Sequence, residues 1–394
     1  MLIVALLKGV PARTTKVVSV GGIMKREEME IVLNPHDAKA IEAADFVRRR
    51  VGGKIVALSM GPDVKLSPLI KPLYRAEVLG VDEAFILSDR KMAGADTLAT
   101  SYAIALGVSK LLERHTRPLD ELAGMVEGSS SAEAVLARAR ELYAQNLVPN
   151  SVCSDLPSVG DGTIVQRLAA GALPRSEAAA LLRAVSKDLS RFLILTGIKT
   201  TDGETGSVGP QVAECLAESM SLDVPHLTYV DDFDVDPGSS VVRARRRFGR
   251  LLQRVELQCP AVLTIAPEYE PRGPDPRGQV AVRANCFRGK VYAPTRWTAD
   301  DLGADPARLG IPGSPTIVGP GMDVGRLPTQ KVIGRTSVFA KRSERLQIGS
   351  TALGPFERGD SAESVPEPLL AELKSKGMVV PFTFEMFREE LFAE

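Results

Sequence analysis

Four short apolar runs recur along this chain: "MLIVALLKGVP", "KIVALSMGP", "EAFILSD" and "RFLILTGIK". Each precedes a longer stretch of helical pattern. A run with no polar alternation marks a strand buried on both faces, and such strands belong to parallel sheets covered by helices. After the first run, "NPHDAKAIEAADFVRRR" offers Asn34 as a cap and Pro35 at the first helical position. Ala38, Ile41, Ala44 and Val47 then form one apolar stripe. A helix is expected over "LSPLIKPLYRAEVLG" despite its prolines, and another over "AGADTLATSYAIALGVSKLLER". The expected fold is α/β, a parallel sheet with helices on both faces.

One interval breaks this rhythm. Between Thr116 and Ser190 lie "SSSAEAVLARARELYAQNL", "IVQRLAAGAL" and "PRSEAAALLRAVSKDLS", helical patterns divided by Gly, Pro and Ser. A connection in an α/β unit normally takes a few residues, so this is an inserted helical subdomain. Later, "SSVVRARRRFGRLLQRVELQCPAVLTIAP" predicts a β-hairpin turning at Phe248-Gly249 and a further strand. Its Arg243, Arg245 and Arg247 fit a solvated strand face better than a phosphate-binding stripe. From about Glu270 onward Pro and Gly multiply and periodicity fades, which predicts an extended arm. That arm ends in two helical pieces, "PEPLLAELKSKG" and "PFTFEMFREELFAE", the latter with Phe384, Phe387 and Leu391 on one face. The division is therefore 1–115, first part of an α/β nucleotide-binding domain; 116–190, helical insertion; 191–269, the rest of that domain with its hairpin; 270–394, partner-binding loop and C-terminal arm.

Composition narrows the function. Lys+Arg and Asp+Glu both total 49 of 394 residues, so nothing marks a nucleic-acid or anionic-membrane surface. No apolar run of spanning length or leader-like start is seen, so a cytoplasmic protein is expected, or one peripheral to a membrane through a partner. Cys153, Cys215, Cys259 and Cys286 are scattered without a CxxC, against a disulfide framework or zinc site. His36, His115 and His226 are expected at the surface or as caps.

In an open parallel sheet, ligands lie beyond the carboxyl ends of the strands. Four turns meet there: after Lys8, at Ser59-Met60-Gly61-Pro62, at Ala93-Gly94-Ala95-Asp96-Thr97, and at "TTDGETGSVGPQ", 200–211. All carry glycine, proline or small hydroxyl residues, so backbone N–H groups can approach a ligand. In the last, Ser207 is a candidate cap and Pro210 is tolerated in the first turn. This loop is not GxxxxGK[ST]: it has no lysine and carries Asp202 and Glu204. A triphosphate with magnesium is disfavoured, whereas a carboxylate suits ribose hydroxyls and backbone dipoles suit a bridged diphosphate. The residues point to an adenylate-containing ligand; the structural alternative is that Asp202 and the glycines only close the turn.

The same turns resemble those of the electron transfer flavoprotein β subunit, whose sheet is of the adenine-nucleotide α-hydrolase-like kind. "NPHDAKAIEAA" is similar to the family's NP-x-[DE]-x-x-A-[LIV]-E-x-A, "ALSMGP" to its strand ending in [SC]-x-GP, and "CPAVLTI" to the strand that closes the domain. Glu270-Pro271-Arg272 and "WTADDLGADPARLGIPGSPTIV" resemble the segments that follow. The resemblance covers most of 1–113, 189–272 and 290–318. "DGETGSVGPQ" and "LSDRKMAGADTLATSY" resemble the electron-bifurcating members, which hold a second FAD where ordinary members hold a structural AMP.

By this resemblance the flavin nucleotide is expected to meet Leu6, Asn34, Pro35, Asp37, Met60, Gly61, Asp96 and Thr97. Gly197, Asp202, Gly203, Thr205, Ser207, Val208 and Gly209 of the stretch Gly197–Gly209 complete the set, with Gly206 and Ser207 standing where alanine and glutamine are usual. The resemblance implies no acid–base residues and no metal. It implies NADH as electron donor and an electron transfer flavoprotein α subunit as partner. One electron would go to ferredoxin or flavodoxin and the other, through the α-subunit FAD, to an acyl-CoA dehydrogenase or quinone oxidoreductase. Two alternatives stay open: a non-bifurcating subunit holding AMP, and an enzyme acting on ATP. The second lacks a phosphate loop after the first strand. The insertion, the 273–290 segment and the long C-terminal arm depart from the family pattern, which fits either an unusual electron acceptor or tolerated decoration.

Overall fold

The computed structural model describes residues 1–12, 19–20, 23–24, 31–61, 81–128, 130–154, 162–270, 294–316, 346–348 and 351–353. The chain divides into two units, Met1–Gly321 and Met322–Glu394. In the second, Leu346–Ile348 and Thr351–Leu353 pair antiparallel. The helix expected over 66–80, Pro62, Cys286, Pro271-Arg272, the 273–290 segment and the C-terminal helices with Phe384, Phe387 and Leu391 lie outside the described residues.

The first unit is built on a nine-stranded sheet: β1 Leu2–Leu7, β2 Lys54–Met60, β3 Glu83–Leu87, β4 Leu193–Gly197, β5 His226–Val235, β6 Val241–Phe248, β7 Leu251–Gln258, β8 Ala261–Ile265 and β9 Thr295–Trp297. Their spatial order is β7-β6-β5-β8-β4-β1-β2-β3-β9. All neighbours are parallel except at the hairpin edge, where β6 runs antiparallel to both β5 and β7. The helices are α1 Pro35–Val51, α2 Thr97–Glu127, α3 Ala132–Ala144, α4 Ile164–Ala169, α5 Arg175–Ser190 and α6 Val208–Met220.

Burial explains the unbroken apolar runs. In β1, Ile3, Ala5 and Leu7 enter the layer shared with α1, while Leu2, Val4 and Leu6 enter the layer shared with α6 and the first half of α2. Every β1 side chain is therefore taken from water. Filling each such position contributes about 1.5–3 kcal/mol for a leucine or isoleucine. The α1 stripe packs as its spacing demands, with Ile41, Ala44 and Val47 fully buried.

The insertion has a core of its own. Leu119, Leu122 and Val126 on the far half of α2 meet Val135, Leu142, Val165, Leu168 and Leu182. The helix α2 runs without a break across position 115, so one rod serves both the sheet and the insertion. This corrects the placement of His115, expected at the surface or as a cap: it is only 2% exposed. It lies where α2 enters the insertion, beside Glu83, which also accepts from Lys54 and Arg114. Burial first, then the charges of Lys54 and Arg114, push its imidazole down to about 3.

Two strands escaped the sequence patterning. β5, "HLTYVDDFDV", is rich in Asp and bulges at Tyr229 (φ 59°), where its pairing with β8 shifts. β9 has three residues and takes its place from pairing with β3, not from hydrophobicity. Part of the expected arm, 294–316, thus belongs to the sheet unit. The hairpin arginines behave as a solvated face, Arg243 pairing with Glu256 and Arg245 with Asp231.

Candidate functional site

The chain leaves β1 toward β2 and β3 on one side, and β4 lies on the other with β8 and β5 beyond it. The order therefore reverses between β1 and β4, and a crevice opens at their carboxyl ends, the place where open α/β sheets take ligands. The connection after β1 leads to α1 on one face, and the loop after β4 leads to α6 on the other.

Asn34 and Asp37 form the crevice floor. Asn34 occupies the cap position of α1 but its side chain does not cap; Nδ2 donates to Lys199 O at 2.9 Å, and its backbone N–H donates to Lys8 O at 2.9 Å. Asp37 accepts from the N–H of Lys8 at 2.8 Å and of Gly197 at 3.2 Å, tying both strand ends to one carboxylate. Burial raises its carboxyl to about 7, against the bonds from Lys8 N–H, the Asn34 side chain and Gly197 N–H and the charge of Lys8. The contact is close enough to demand glycine at 197: a Cβ there would stand 2.5 Å from Asp37 Oδ1 and 2.6 Å from the His36 carbonyl carbon.

The loop from Ile198 to Ser207 forms one wall. Glu204 and Gly206 hold positive φ, and the Thr200 carbonyl accepts from Glu204 N–H at 3.0 Å. Ser207 sits at the cap position of α6, yet its hydroxyl donates to Thr205 O instead of accepting from the helix. The first N–H groups of α6, at Val208 and Gly209, are thus left to partners outside the helix. Gly209 is pressed onto Thr264 and Thr196 of the sheet, leaving no room for a side chain.

The lysine missing from the loop comes from elsewhere. Lys8, following β1, donates from Nζ to both carboxylate oxygens of Asp202 at 3.0 and 2.8 Å. Asp202 therefore does more than close its own turn.

A second wall is the start of α2. Asp96 caps that helix, accepting from Leu98 and Ala99 N–H at 2.9 and 3.0 Å, while its other oxygen accepts from Thr316 N–H and Oγ1. Its own N–H donates to Ser314 Oγ at 2.8 Å. The carboxylate is engaged within the protein and clamps segment 310–316 over Gly94, whose φ of 74° brings it against Ile311. Ser101 Oγ donates to Thr97 O at 2.7 Å and lies 3.4 Å from Val208 O, so the starts of α2 and α6 adjoin.

Of the expected site residues, Asn34, Asp37, Gly197, Asp202, Gly203, Thr205, Ser207, Val208 and Gly209 gather at the β1–β4 crevice. Pro35 is the exposed first residue of α1. Leu6 points into the core, 4% exposed, and offers only its backbone. Met60 and Gly61 end β2, and Gly61 N–H is already donated to Leu87 O at 3.1 Å. Asp96 and Thr97 open α2. Sequence patterning missed Lys8, visible only as the residue where β1 ends, and Ser314 and Thr316, whose role depends on a contact 220 residues away in the chain.

An adenylate-type ligand fits what the edge leaves unsatisfied. Asn34 Oδ1, Ser59 Oγ at the end of β2 and Ser88 Oγ after β3 are buried without a hydrogen-bond partner. Buried polar atoms in that state cost about 1–3 kcal/mol each, a cost that a polar ligand can relieve. Among the described residues no group of three or more metal-ligating side chains is present, and no helix is long and apolar enough to cross a membrane.

Comparison with known proteins agrees with the α/β fold. The family model described as electron transfer flavoprotein domain matches residues 22–115 and 163–285, over half the chain. The two matched stretches flank most of the helical insertion. The chain is 26% identical over 343 residues to electron transfer flavoprotein subunit beta of Clostridium acetobutylicum, covering 86% of this chain and 93% of that one. It is 28% identical to protein FixA of Bradyrhizobium diazoefficiens, covering 79% and 78%. It is 26% identical to the caffeyl-CoA reductase-Etf complex subunit CarD of Acetobacterium woodii, covering 75% and 78%.

Proposed function

Because the chain belongs to the electron transfer flavoprotein domain family, we propose that it is the β subunit of a heterodimeric electron carrier whose β1–β4 crevice holds FAD. The observation that carries the nucleotide assignment is the crevice itself: an α6 start with no side-chain cap beside a floor where the Asn34 Oδ1 is buried without a partner. The loop "DGETGSVGPQ", of the kind found in members with a second flavin, supports FAD over AMP.

In this role the chain contributes position, not acid–base chemistry. Bound FAD supplies the capacity to take two electrons and release them singly. Val208 and Gly209 N–H groups and the Thr205 hydroxyl would hold the diphosphate, with the field of the α6 start behind them. Asn34 and Asp37 tie the ends of β1 and β4 together, so the ligand is seated on rigid elements. The donor proposed is NADH. The acceptors are ferredoxin or flavodoxin on one branch and, through an α-subunit FAD, an acyl-CoA dehydrogenase or quinone oxidoreductase on the other. The similarity to the Acetobacterium subunit of a caffeyl-CoA reductase-Etf complex supports an acyl-CoA-linked acceptor.

The test is a cofactor count on the chain copurified with its α partner. Acid release and chromatography should give two FAD per heterodimer and no AMP. One FAD with one AMP would sink the bifurcating assignment and leave the non-bifurcating carrier. Anaerobic NADH titration then checks the donor: complete bleaching by one equivalent per FAD, two per heterodimer, is expected.

A further inference from the structure

One ion pair crosses the crevice. Lys8 follows β1, Asp202 lies in the loop after β4, and they meet at 2.8 Å across the line where the strand order reverses. The two residues are 194 positions apart, so only the folded sheet brings them together. Beneath the pair, Lys8 is fixed by its backbone: its N–H donates to Asp37 and its carbonyl accepts from Asn34 N–H. Its side chain is 39% exposed and that of Asp202 is 11% exposed. The lysine end of the pair is open to water, which weakens the pair toward the ~1 kcal/mol of a surface ion pair. The loop that carries Asp202 leads into the α6 start, whose N–H groups at Val208 and Gly209 lack a side-chain cap.

We propose that Lys8 is the phosphate-binding cation of this crevice, and that Asp202 holds it until a nucleotide phosphate takes its place. The proposal rests on the adenylate-ligand assignment above and adds a residue and a competition to it. An ammonium donating to phosphate forms a charge-assisted bond stronger than a neutral one, and the adjoining helix start favours the same anion. The exchange keeps charge balanced: Lys8 passes from one anion to another, and Asp202 turns to the solvent or to a ligand hydroxyl. A pair that merely ties the loop down would make no such distinction between ligands.

Isothermal titration of the full chain, dialysed free of nucleotide, with ADP and with adenosine decides between these. Lys8→Met should weaken ADP about tenfold, the loss of one charge-assisted hydrogen bond, and leave adenosine unchanged. Asp202→Asn should tighten ADP by about threefold, because its competitor role is worth no more than an exposed ion pair. Lys8→Arg should restore most ADP affinity. Circular-dichroism melts establish that each variant is folded; if Lys8→Met is not, Lys8→Arg and Asp202→Asn still decide the sign. Equal weakening of ADP and adenosine by Lys8→Met and Asp202→Asn overturns the proposal and makes the pair a structural tie. Wild-type chain that binds neither ligand overturns the adenylate assignment and this proposal with it. Wild-type chain that binds both, with Lys8→Met indifferent to phosphate, removes the lysine's role alone.

Discussion

Replacing Asp37 by asparagine should abolish a pH dependence of stability that runs opposite to that of most carboxylates. Asp37 is 3% exposed, and burial raises its carboxyl to about 7 although Lys8 N–H, the Asn34 side chain and Gly197 N–H all favour the ion. The unfolded chain releases that proton near about 3.9. Between those values the folded state keeps a proton the unfolded state has lost, so stability falls as pH rises through the window. Each tenfold difference in proton affinity between the two states is worth about 1.4 kcal/mol. Raising the pH from 5 to 8 should therefore cost the wild type about 3 kcal/mol through this residue. For a unit of this size that is a fall in Tm of roughly 5 °C. The assay is a set of thermal melts of wild type and Asp37→Asn at half-unit steps from pH 5 to 8. His226, pushed down to about 4 by burial and then by Arg246, and His115, pushed down to about 3, act in the other sense, losing stability as pH falls below about 6.5. They are common to both proteins and cancel in the difference. At pH 5 the variant should melt lower, since an amide can accept from only one of the two N–H donors, and the gap should close as pH rises. A gap that stays constant, or widens with pH, would refute the reasoning by showing Asp37 ionised throughout.

Gly197→Ala should destabilise the chain by about 3 kcal/mol in chemical denaturation and lower nucleotide content, because the new Cβ would stand 2.5 Å from Asp37 Oδ1. Thr163→Ala removes the box in which Thr163 and Gln166 satisfy each other at the start of α4; a loss of about 1 kcal/mol is expected, with hydrogen exchange rising first in the insertion. Ser314→Ala with Thr316→Val should remove both side-chain bonds between segment 310–316 and Asp96, leaving the Thr316 N–H bond and the α2 cap on Leu98 and Ala99 intact. Limited proteolysis should then cut near 310–316 at a faster rate with little change in Tm; an unchanged cleavage pattern would show that the backbone bond at position 316 and the packing of Gly310 and Ile311 suffice to hold the segment.

The sheet was legible because its strands obey a rule that needs no tertiary knowledge. β1, β2, β4 and β8 are buried on both faces, so their sequences are almost wholly apolar, and the helices between them carry stripes set by the same two layers. β5 was illegible for the opposite reason: it alternates burial with exposure, carries four aspartates in or beside the strand, and breaks at Tyr229. The length of α2 was also hidden. Pro118 reads as a stop signal, yet it is buried within the helix, where the packing of Leu119 and Leu122 against the insertion helices outweighs the lost hydrogen bond. At the crevice, local chemistry named Asn34 and Ser207 as caps by residue type. Both occupy cap positions, and neither caps, because Asn34 is drawn to Lys199 O and Ser207 to Thr205 O. Residue type fixes what a side chain can do; the nearest stronger partner decides what it does.

The distribution of charge around the crevice bears on the kind of anion it can take. Lys8 reaches across it, and Asp202 already balances that charge. Lys199, at the base of the loop, is matched by Glu204 at 3.3 Å. Asp37 on the floor carries a proton over much of the range below about 7, so it neither repels an anion at that depth nor attracts a cation. Asp96 is consumed as a cap and clamp. What remains is the partial charge of the α6 start, equivalent to about half an elementary charge, and on the proposal above the single charge of Lys8, which a phosphate takes from Asp202. A bare triphosphate would bring more negative charge than these groups can offset without a metal ion beside them. A diphosphate esterified at both ends carries less, spreads it over oxygens that backbone N–H groups can reach, and leaves its nucleoside hydroxyls for Asp202 once Lys8 is taken. The small positive charge of the crevice is therefore consistent with the proposed dinucleotide, and the absence of a lysine from the stretch 200–211 fits the same balance.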